Sequence, residues 1–382
     1  MDAIFSQKPH AEKNGIKKYT KTDFYWGIVP RSEMESFNAL GQEKGFLQAH
    51  KEFSFKERFN YAENYRRADF HFLLPFKKDS VILDLGSGFG NVTIPMAKHY
   101  KHVVAADASL PLLEYSSLRA KSENINNIDY VQVDPLEECN LPFKPKSFDV
   151  IILNGVLEWV GPAKKDVSPT ITQKRFLAYL ATLLKDDGFL YIGIENRLFP
   201  GWLRRDPHSK LKYTSILPRF LANWYAKKHG HADGYKTYIY SSFGYKKMLR
   251  QAGFGFTKFL YPYTTYREPE YIYSNDMAVR RFIFAGYLKN IFTKKWSTFL
   301  KFLSFINADR IFLSSFMIIA SKKRGVEKNT PYIYEIAKKF SPDVLKDDVY
   351  MKVPSKNDKA RFLVFHQSDS KPYLEFEVER VG

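Results

Sequence analysis

Carboxylates and a glycine-rich turn stand at the ends of apolar runs that are typical of buried strands. The run Val81-Ile-Leu leads into Asp84 and the sequence Gly86-Ser-Gly-Phe-Gly90, and a helical pattern follows. Glycines allow a tight turn and a close approach of the backbone to a ligand, and the first turn of a helix offers free N–H groups. Such turns often receive a pyrophosphate, which Asp84 would repel. The turn therefore indicates a nucleotide-like ligand with an ammonium group instead of a phosphate.

Two further carboxylates indicate which ligand this is. Asp107 ends the second apolar run, 17 residues after Gly90, where a carboxylate can accept hydrogen bonds from both hydroxyls of a ribose. Asp134, followed by Pro135, ends the third run and is placed to contact the amino group of an adenine. S-adenosylmethionine has a ribose, an adenine and an ammonium group but no phosphate. These positions predict S-adenosylmethionine as the cofactor and S-adenosylhomocysteine as its product.

Candidate residues for the acceptor follow the fourth and fifth apolar runs. A hydroxyl acceptor benefits from a general base, commonly a histidine or a carboxylate, whereas a neutral amine needs less help. His208 is the leading candidate base, and Glu158 and Glu195 are the other catalytic candidates. A surface histidine and a helix-start carboxylate are the alternative interpretations. The residues expected to contact the substrate are Tyr25, Trp26, Trp159, Asn196, Arg197, Arg219 and Tyr240.

The elements that must position these residues alternate from residue 80 onward between apolar runs and helical stretches. This alternation predicts an α/β fold, with a Rossmann-like, mostly parallel sheet of seven strands and helices on both faces. The runs begin at residues 81, 102, 130, 148, 189, 256 and 315, and the helical stretches near 91–100, 109–122 and 170–184. We expect a helical, aromatic lead-in at 1–79, a main domain at 80–325 and a β-containing extension at 326–382. The main domain would carry insertions after its fifth strand, at 196–244, and after its sixth.

The segment 80–195 resembles the class I S-adenosylmethionine-dependent methyltransferases. The matching sequences, in the family's order, are Asp84–Gly90, Ala106–Ala108, Val133-Asp134, Leu141–Phe143, Ser147–Ile151 and Leu157-Glu158. Many relatives have a histidine where this chain has Trp159, so we expect no metal site. The cofactor-binding residues that the resemblance implies are Asp84, Gly86, Ser87, Gly88, Gly90, Asn91, Asp107, Ala108, Asp134, Pro135 and Asn154.

The segment after the fifth strand is similar to a methyltransferase subgroup associated with bacterial cell-surface polysaccharide synthesis. The similarity rests on Glu195-Asn-Arg197, His208, the sequence Thr214–Arg219 and Tyr240-Ser241. It implies O-methylation of a sugar hydroxyl or an attached acidic group of a surface-glycan precursor. A nucleic-acid methyltransferase and a non-enzymatic docking module with a methyltransferase-like fold are the alternatives.

The charge of the chain is concentrated in one third of it. The 382 residues have a formal net charge of +18, and residues 196–325 contain 24 Lys and Arg against 6 Asp and Glu. Such a field favours an anionic substrate or partner, whether glycan, lipid or nucleic acid, and a solvated basic surface is the alternative. Nucleic acid is the less favoured partner because no Pro-Pro-Tyr or Pro-Pro-Phe sequence follows Asn154.

The remaining sequence features concern location and the end of the chain. A single cysteine, Cys139, and an N-terminal segment without an apolar run lead us to expect a cytoplasmic protein. The basic amphipathic segment 287–306 predicts either peripheral contact with the anionic inner face of a membrane or a packing helix. Residues 361–382 resemble the first strands of an aminoglycoside-phosphotransferase-type kinase lobe, but the required lysine is missing and we expect no kinase activity.

Overall fold

The computed structural model describes most of the chain. The described residues are 4–25, 27–53, 63–134, 139–161, 167–206, 208–276, 279, 282, 309–324, 330–356, 358–367, 369 and 371–380. The part before the glycine-rich turn consists of two short strands, β1 (Ala11–Lys13) and β2 (Ile16–Lys18), the helices α1 (Arg31–Lys44) and α2 (Phe46–Glu52), and a 3-10 segment, Tyr65–Leu73.

Strands and helices then alternate as the sequence predicts. The elements are β3 (Val81–Leu85), α3 (Thr93–His99), β4 (His102–Asp107), α4 (Leu110–Ser122), β5 (Ile128–Gln132), β6 (Phe148–Asn154), a 3-10 turn at Leu157–Trp159, α5 (Pro169–Leu183) and β7 (Leu184–Glu195). The second half contains a 3-10 turn at Pro200–Leu203, α6 (Arg219–Lys228), α7 (Ser242–Gln251), β8 (Phe256–Tyr263), β9 (Tyr271–Tyr273), a 3-10 turn at Asp309–Phe312, β10 (Ser315–Ser321), α8 (Tyr332–Ala337), β11 (Val349–Val353), β12 (Lys359–Phe365) and β13 (Leu374–Glu379).

Within the described residues, the strands form one mixed sheet of thirteen strands, in the order β1-β2-β5-β4-β3-β6-β7-β10-β8-β9-β11-β12-β13. The expectation of a mostly parallel sheet with seven strands is therefore not confirmed. The strands from β2 to β7 pair in parallel, whereas β10 runs antiparallel to both β7 and β8. The sheet is larger than expected because β2 adds to β5 at one edge, and β9 and the C-terminal strands continue it beyond β8.

Apolar side chains cover both faces of the central strands. Leu83 of β3 belongs to a buried cluster with Leu177 of α5, and Ile82, which points to the other face, belongs to a second cluster with Met96 of α3. Side chains alternate between the two faces of a strand, so a strand that is buried on both faces must be apolar throughout. This packing fixes the ends of β3, β4, β6 and β7, where the candidate site residues lie.

The C-terminal strands are joined to the 3-10 segment by a buried group of charges. Asp69 accepts hydrogen bonds from Arg380 Nε at 2.7 Å and Arg380 Nη2 at 2.8 Å, and Lys352 Nζ lies 3.2 Å from the same carboxylate. Each of the three side chains is 1% exposed. Burial lowers the pKa of Lys352 to about 8, although Asp69 opposes this shift. The prediction of a separate extension at 326–382 stays a prediction, but these contacts attach its strands to the rest of the chain.

The segment between β7 and α7 contains a helix with its bulky side chains on the outside. The small residues Ala222 and Ala226 of α6 are fully buried, whereas Phe220 is 73% and Trp224 59% exposed. The other basic segment that the sequence analysis singled out, 287–306, lies outside the described residues. Across the described part of the chain, no helix is long and apolar enough to span a bilayer.

Candidate functional site

The glycine-rich turn after β3 has a backbone that only glycine can adopt at two positions. Gly86 has φ +79°, and a Cβ atom there would lie 2.4 Å from Val156 Cγ2. Gly90 has φ +81°, and its Cβ would lie 2.2 Å from Ser116 Oγ. Both the positive φ angle and the close neighbours therefore require glycine. The turn is held against the segment that follows β6 and against α4, so it is a fixed part of the site.

Asp107, the last residue of β4, connects the glycine-rich turn to the next strand. Its carboxylate accepts hydrogen bonds from the backbone N–H of Gly88 at 2.8 Å and of Ser109 at 2.9 Å. The side chain is buried, and burial raises the pKa of Asp107 although these hydrogen bonds oppose the shift. A carboxylate has about four acceptor positions, so these hydrogen bonds leave room for a ligand. The neighbouring Ala108 uses its carbonyl oxygen to accept from Gln132 Nε2 at 3.1 Å.

Asp84 lies near the end of β3, where its side chain accepts a hydrogen bond from Thr93 Oγ1 at 2.6 Å. Burial, together with the charge of Asp107, raises the pKa of Asp84 to about 7. A cation next to a buried carboxylate stabilises the charged form of that carboxylate. An ammonium group on a ligand beside the turn would be such a cation.

Buried polar atoms that have no hydrogen-bond partner indicate whether the crevice beside the glycine-rich turn can receive a polar ligand. Ser87 Oγ and both amide atoms of Asn154 are buried and have no hydrogen-bond partner within the described ranges. Buried polar groups are normally hydrogen-bonded. Asn91 is also buried. The atoms of Ser87 and Asn154 are therefore available to a bound cofactor at the ends of β3 and β6.

The outer end of the site includes a part of the N-terminal lead-in that sequence reasoning missed. Asp134 accepts a hydrogen bond from Thr22 Oγ1 at 3.2 Å, and Gln132 Nε2 donates to the carbonyl of Thr22 at 3.3 Å. Asp23 Oδ1 accepts from the N–H of Leu110 at the start of α4. No local pattern indicates these partners, since they are about a hundred residues apart in sequence. Pro135 lies outside the described residues.

The three predicted catalytic residues come together. Glu158 lies in the 3-10 turn after β6, Glu195 ends β7, and His208 follows in the insertion; one potential ligand atom from each lies within 4.8 Å of the other two. Both oxygens of Glu158, one oxygen of Glu195 and both ring nitrogens of His208 are buried without a hydrogen-bond partner in the part of the chain that the structure describes. We call Glu158, Glu195 and His208 the acidic–histidine cluster.

The pKa shifts in the acidic–histidine cluster show that its three side chains favour a positive charge between them. Burial, and then the charge of Glu195, raises the pKa of Glu158. Burial would lower the pKa of His208, but the carboxylates of Asp206, Glu195 and Glu158 together raise it. These groups therefore compete for a proton or another cation.

Neighbouring side chains hold the acidic–histidine cluster in place. Arg267 Nη2 donates to Glu195 Oε1 at 2.8 Å, and the hydroxyl of Tyr266 lies 3.4 Å from the same oxygen. Asp206 accepts from the backbone N–H of His208 at 2.8 Å. Its carboxylate lies 3.7 Å from His208 Nδ1. Sequence reasoning missed Arg267 and Asp206, although the spacing of Asp206 two residues before His208 offered a signal for the latter.

The predicted substrate residues differ in what their side chains do. Asn196 Nδ2 donates to the carbonyls of Ile311 and Leu313, both at 2.7 Å, so its amide is occupied. Arg197 donates to backbone carbonyls of residues 215–217 and so fastens the insertion. Both residues position the chain, and a role for them in substrate contact stays a prediction.

Of the other predicted substrate residues, Arg219 and Tyr240 lie in the insertion, and Trp159 contacts it through His208. Arg219 lies over the ring of Tyr238 at 4.1 Å, and its Nη1 atom is buried without a partner among the described residues. The hydroxyl of Tyr240 donates to Gln173 Oε1 at 2.7 Å. Trp159 is 42% exposed and places its ring edge-on to His208, at a centroid distance of 5.4 Å.

The aromatic pair in the lead-in is only partly described. Tyr25 donates to the carbonyl of Val29 at 2.6 Å and packs beside a cluster that contains Phe89 of the glycine-rich turn. Burial raises the pKa of Tyr25 to about 12. Trp26 lies outside the described residues.

Comparison with known proteins agrees with this geometry. Residues 83–192 match the profile of a protein family described as a methyltransferase domain. These residues form a methyltransferase domain. The matched range runs from β3 to β7 and contains the glycine-rich turn, Asp107 and Glu158. The expectations of a methyltransferase domain and of S-adenosylmethionine as its cofactor are confirmed.

Curated relatives of this methyltransferase domain act on different substrates. The ubiquinone biosynthesis O-methyltransferase of Bartonella tribocorum is 31% identical over 160 residues, which are 41% of this chain and 61% of that protein. The 23S rRNA (uracil(1939)-C(5))-methyltransferase of Legionella pneumophila strain Corby is 36% identical over 72 residues, which are 18% of this chain and 16% of that protein. The matches thus cover less than two thirds of either relative.

Solved structures also resemble the chain. A Bacillus halodurans protein described as a putative methyltransferase is 16% identical with a TM-score of 0.38, and the match covers 68% of this chain and 98% of that chain. A Thermotoga maritima methyltransferase is 17% identical with the same TM-score, covering 75% of this chain and 100% of its own.

Proposed function

We propose that this chain is an S-adenosylmethionine-dependent O-methyltransferase that acts on a hydroxyl group of a bacterial surface-glycan precursor. The buried acidic–histidine cluster carries the proposal. A hydroxyl oxygen attacks an electrophile well only when its proton is removed, and the unpaired atoms of Glu158 and His208 can accept that proton. An amine acceptor would need no such group.

The acidic–histidine cluster adjoins the crevice of the cofactor through two contacts. Val156, two residues before Glu158, packs against the position of Gly86 in the glycine-rich turn. Tyr266, whose hydroxyl lies near Glu195, packs beside Gly193 together with the amide of Asn154. An acceptor that is bound at the cluster therefore lies near the atoms of Asn154 that are free to contact a cofactor.

The residues of the cofactor crevice have distinct roles in this proposal. Asp107 would hold the ribose, Asp134 the adenine, and Asp84 with the glycine-rich turn the methionine end. S-adenosylmethionine, when bound, supplies an electrophilic methyl group. The protein aligns the acceptor oxygen with the methyl group, and this proximity supplies much of the rate. The burial of Glu158 and Glu195 indicates that the site also excludes water.

An acidic glycan precursor fits the surroundings of the site. The insertion belongs to the strongly basic part of the chain, and the unpaired Nη1 atom of Arg219 can bind a carboxylate or phosphate of the substrate. Aromatic rings of Tyr238 and Trp159 offer flat surfaces for a sugar ring.

The outward face of α6 supports a membrane-attached form of this substrate. Phe220 and Trp224 lie four residues apart, hence on one face of the helix, and Lys227 and Lys228 follow them. Exposed aromatic side chains next to lysines are typical of helices that lie on anionic membranes. We therefore propose that α6 contacts the membrane surface on which a lipid-linked glycan precursor is carried.

An RNA acceptor is the second candidate, because the net charge is positive and the Legionella relative acts on 23S rRNA. That similarity extends over 72 residues of this chain, too few to include both the glycine-rich turn and the basic insertion. The acidic–histidine cluster is also not needed to attract a polyanion. We therefore place RNA second.

One transfer assay separates these functions. The purified full chain is incubated with methyl-labelled S-adenosylmethionine and, separately, with uronic-acid-containing saccharides, their nucleotide-sugar precursors and total RNA. We expect label on a saccharide, as a methyl ether that is stable to alkali. An alkali-labile methyl ester would show that the acceptor atom is a carboxylate oxygen and not a hydroxyl oxygen. Labelling of RNA alone would reject the glycan proposal, and Asp107→Asn, with Asp129→Asn as control, shows whether transfer uses this cofactor crevice.

A further inference from the structure

The acidic–histidine cluster has more unpaired ligand atoms than a single proton can satisfy. Two oxygens of Glu158, Oε2 of Glu195 and both nitrogens of His208 have no hydrogen-bond partner in the regions that the structure describes. Glu158 is fully buried and Glu195 is 6% exposed. The side chain of His208 is 3% exposed. Leaving charged groups buried and unpaired is costly, and proteins normally pair such groups or use them to coordinate metals.

The arrangement matches what a divalent cation requires. One donor atom from each of the three side chains lies within 4.8 Å of the others, and small side-chain rotations bring such atoms to the roughly 2.0–2.2 Å at which nitrogen and carboxylate oxygen bind a metal ion. The three donors come from three different segments, namely the turn after β6, the end of β7 and the insertion. They therefore surround a common point instead of lying along one surface.

Neighbouring residues orient two of the three donors, Glu195 and His208. Ligating side chains in metal sites are usually oriented by hydrogen bonds from a second set of residues. Here Arg267 and Tyr266 fix Oε1 of Glu195, which leaves Oε2 directed elsewhere. Asp206 fixes the backbone of His208 and lies near its Nδ1 atom. Both orienting interactions leave one donor atom of the ligand unused.

From these observations we infer that Glu158, Glu195 and His208 bind one divalent cation. Two carboxylates and one imidazole suit an ion such as Mn²⁺, which accepts oxygen donors together with a nitrogen donor. Two carboxylates also balance its charge. Three protein ligands leave coordination positions open, as at metal sites that bind a substrate. This proposal departs from the expectation of no metal site, which rests on Trp159 replacing a histidine, because His208 would supply the imidazole from another segment.

The cation has a role in methyl transfer, and this role rests on the proposed function. A metal ion lowers the pKa of an oxygen bound to it and orients that oxygen. An acceptor hydroxyl on the ion would lose its proton to the oxygen of Glu158 that does not bind the metal. His208 then acts as a ligand and not as the general base.

Binding of the ion is tested without any acceptor. The full chain is freed of metal with a chelator, and Mn²⁺ is added while free Mn²⁺ is measured by electron paramagnetic resonance and the melting temperature by calorimetry. We expect one Mn²⁺ per chain, a higher melting temperature, and at least tenfold weaker binding in Glu158→Gln, Glu195→Gln and His208→Gln. Before metal is added, Glu158→Gln should melt above the wild type, because it removes a buried unpaired carboxylate; this shows that the variant folds.

The control variant changes a carboxylate that is already paired with a neighbouring histidine. Asp348 accepts from His366 Nδ1 at 2.9 Å and from the hydroxyl of Tyr373, so Asp348→Asn should leave Mn²⁺ binding unchanged. Absence of saturable Mn²⁺ binding, or wild-type affinity in all three cluster variants, would overturn the metal site. Methyl transfer that persists in chelator would overturn the role of the ion in methyl transfer while leaving the proposed function intact. Bound Mn²⁺ without methyl transfer to any acceptor would reject the function but not the site.

Discussion

Replacement of Asp107 by asparagine should weaken cofactor binding without disturbing the fold. The asparagine side chain keeps an oxygen that can accept from Gly88 or Ser109, which lie at 2.8 and 2.9 Å from the native carboxylate, but it loses the charge that would strengthen two hydrogen bonds from the ribose. A hydrogen bond to a charged group contributes about 1.5–3 kcal/mol. Loss of that amount raises the dissociation constant of S-adenosylhomocysteine by roughly 10–150-fold.

The thermal assay translates this change into a measurable difference. Ligand at about 100 times the wild-type dissociation constant stabilises the wild type by roughly 2.7 kcal/mol, and a variant that binds about 100-fold more weakly gains only about 0.4 kcal/mol. The melting temperature is measured with and without S-adenosylhomocysteine, and the affinity is measured by titration calorimetry.

Asp129→Asn is the matched control for Asp107→Asn. Asp129 lies on the neighbouring strand β5, toward its beginning, and pairs with Lys17 and His102 at 3.1 and 3.0 Å. Its replacement should lower the melting temperature slightly and leave the ligand-induced shift as in the wild type. Equal shifts in Asp107→Asn and the wild type would refute the assignment of Asp107 to the ribose, whereas equal loss in both variants would show that the effect is not local.

Three further predictions follow from the charges and the exposed surface. Asp69→Asn leaves two buried cations uncompensated and should cost about 3–5 kcal/mol of unfolding free energy, as measured by denaturant titration, whereas Asp187→Asn, whose side chain is 69% exposed, should change it by at most about 0.5 kcal/mol. Because the folded protein raises the pKa of Asp84 from 3.8 to about 7, ionisation of Asp84 destabilises the fold as pH rises through that range. The melting temperature of Asp84→Asn should therefore rise relative to that of the wild type between pH 5 and 8. A constant difference between the two melting temperatures would contradict this. Replacing Phe220 and Trp224 by serine should reduce sedimentation with anionic vesicles, while Phe340→Ser, which changes a ring outside the insertion that is 55% exposed, should not. Binding to neutral vesicles to the same extent would speak against a contact with anionic lipid.

The parts of the fold that local patterns encode could be predicted from the sequence. Strands buried on both faces read as continuous apolar runs, so β3 to β7 lie where these runs predict them, and the glycines of the turn mark a backbone that other residues cannot adopt. The sequence also predicts Asp84, Asp107 and Asn154 at or near the ends of strands, where they lie; their contacts with a cofactor stay predictions. The outer strands of the sheet were harder to foresee, because pairing at a sheet edge depends on distant segments.

Partners across space could not be predicted from local patterns. The sequence predicts that Asn196 and Arg197 lie at the end of β7. Their residue types do not reveal that backbone carbonyls of the same chain accept the hydrogen bonds of both side chains. Arg267 lies 72 residues from Glu195, a distance over which no periodicity connects them. The metal-binding arrangement likewise emerges only once three segments are seen together.

The buried pair of Asp69 and Arg380 has a consequence for synthesis of the chain. The two residues are 311 positions apart, so a ribosome exposes Asp69 long before its partner exists. Until then the carboxylate must stay hydrated, and the 3-10 segment that carries it cannot settle onto the sheet in its final form. The methyltransferase domain, whose central strands are complete by residue 195, can fold in the meantime. Final closure of this protein thus waits for residue 380, and nascent chains stalled before that point should remain open to proteases at the 3-10 segment.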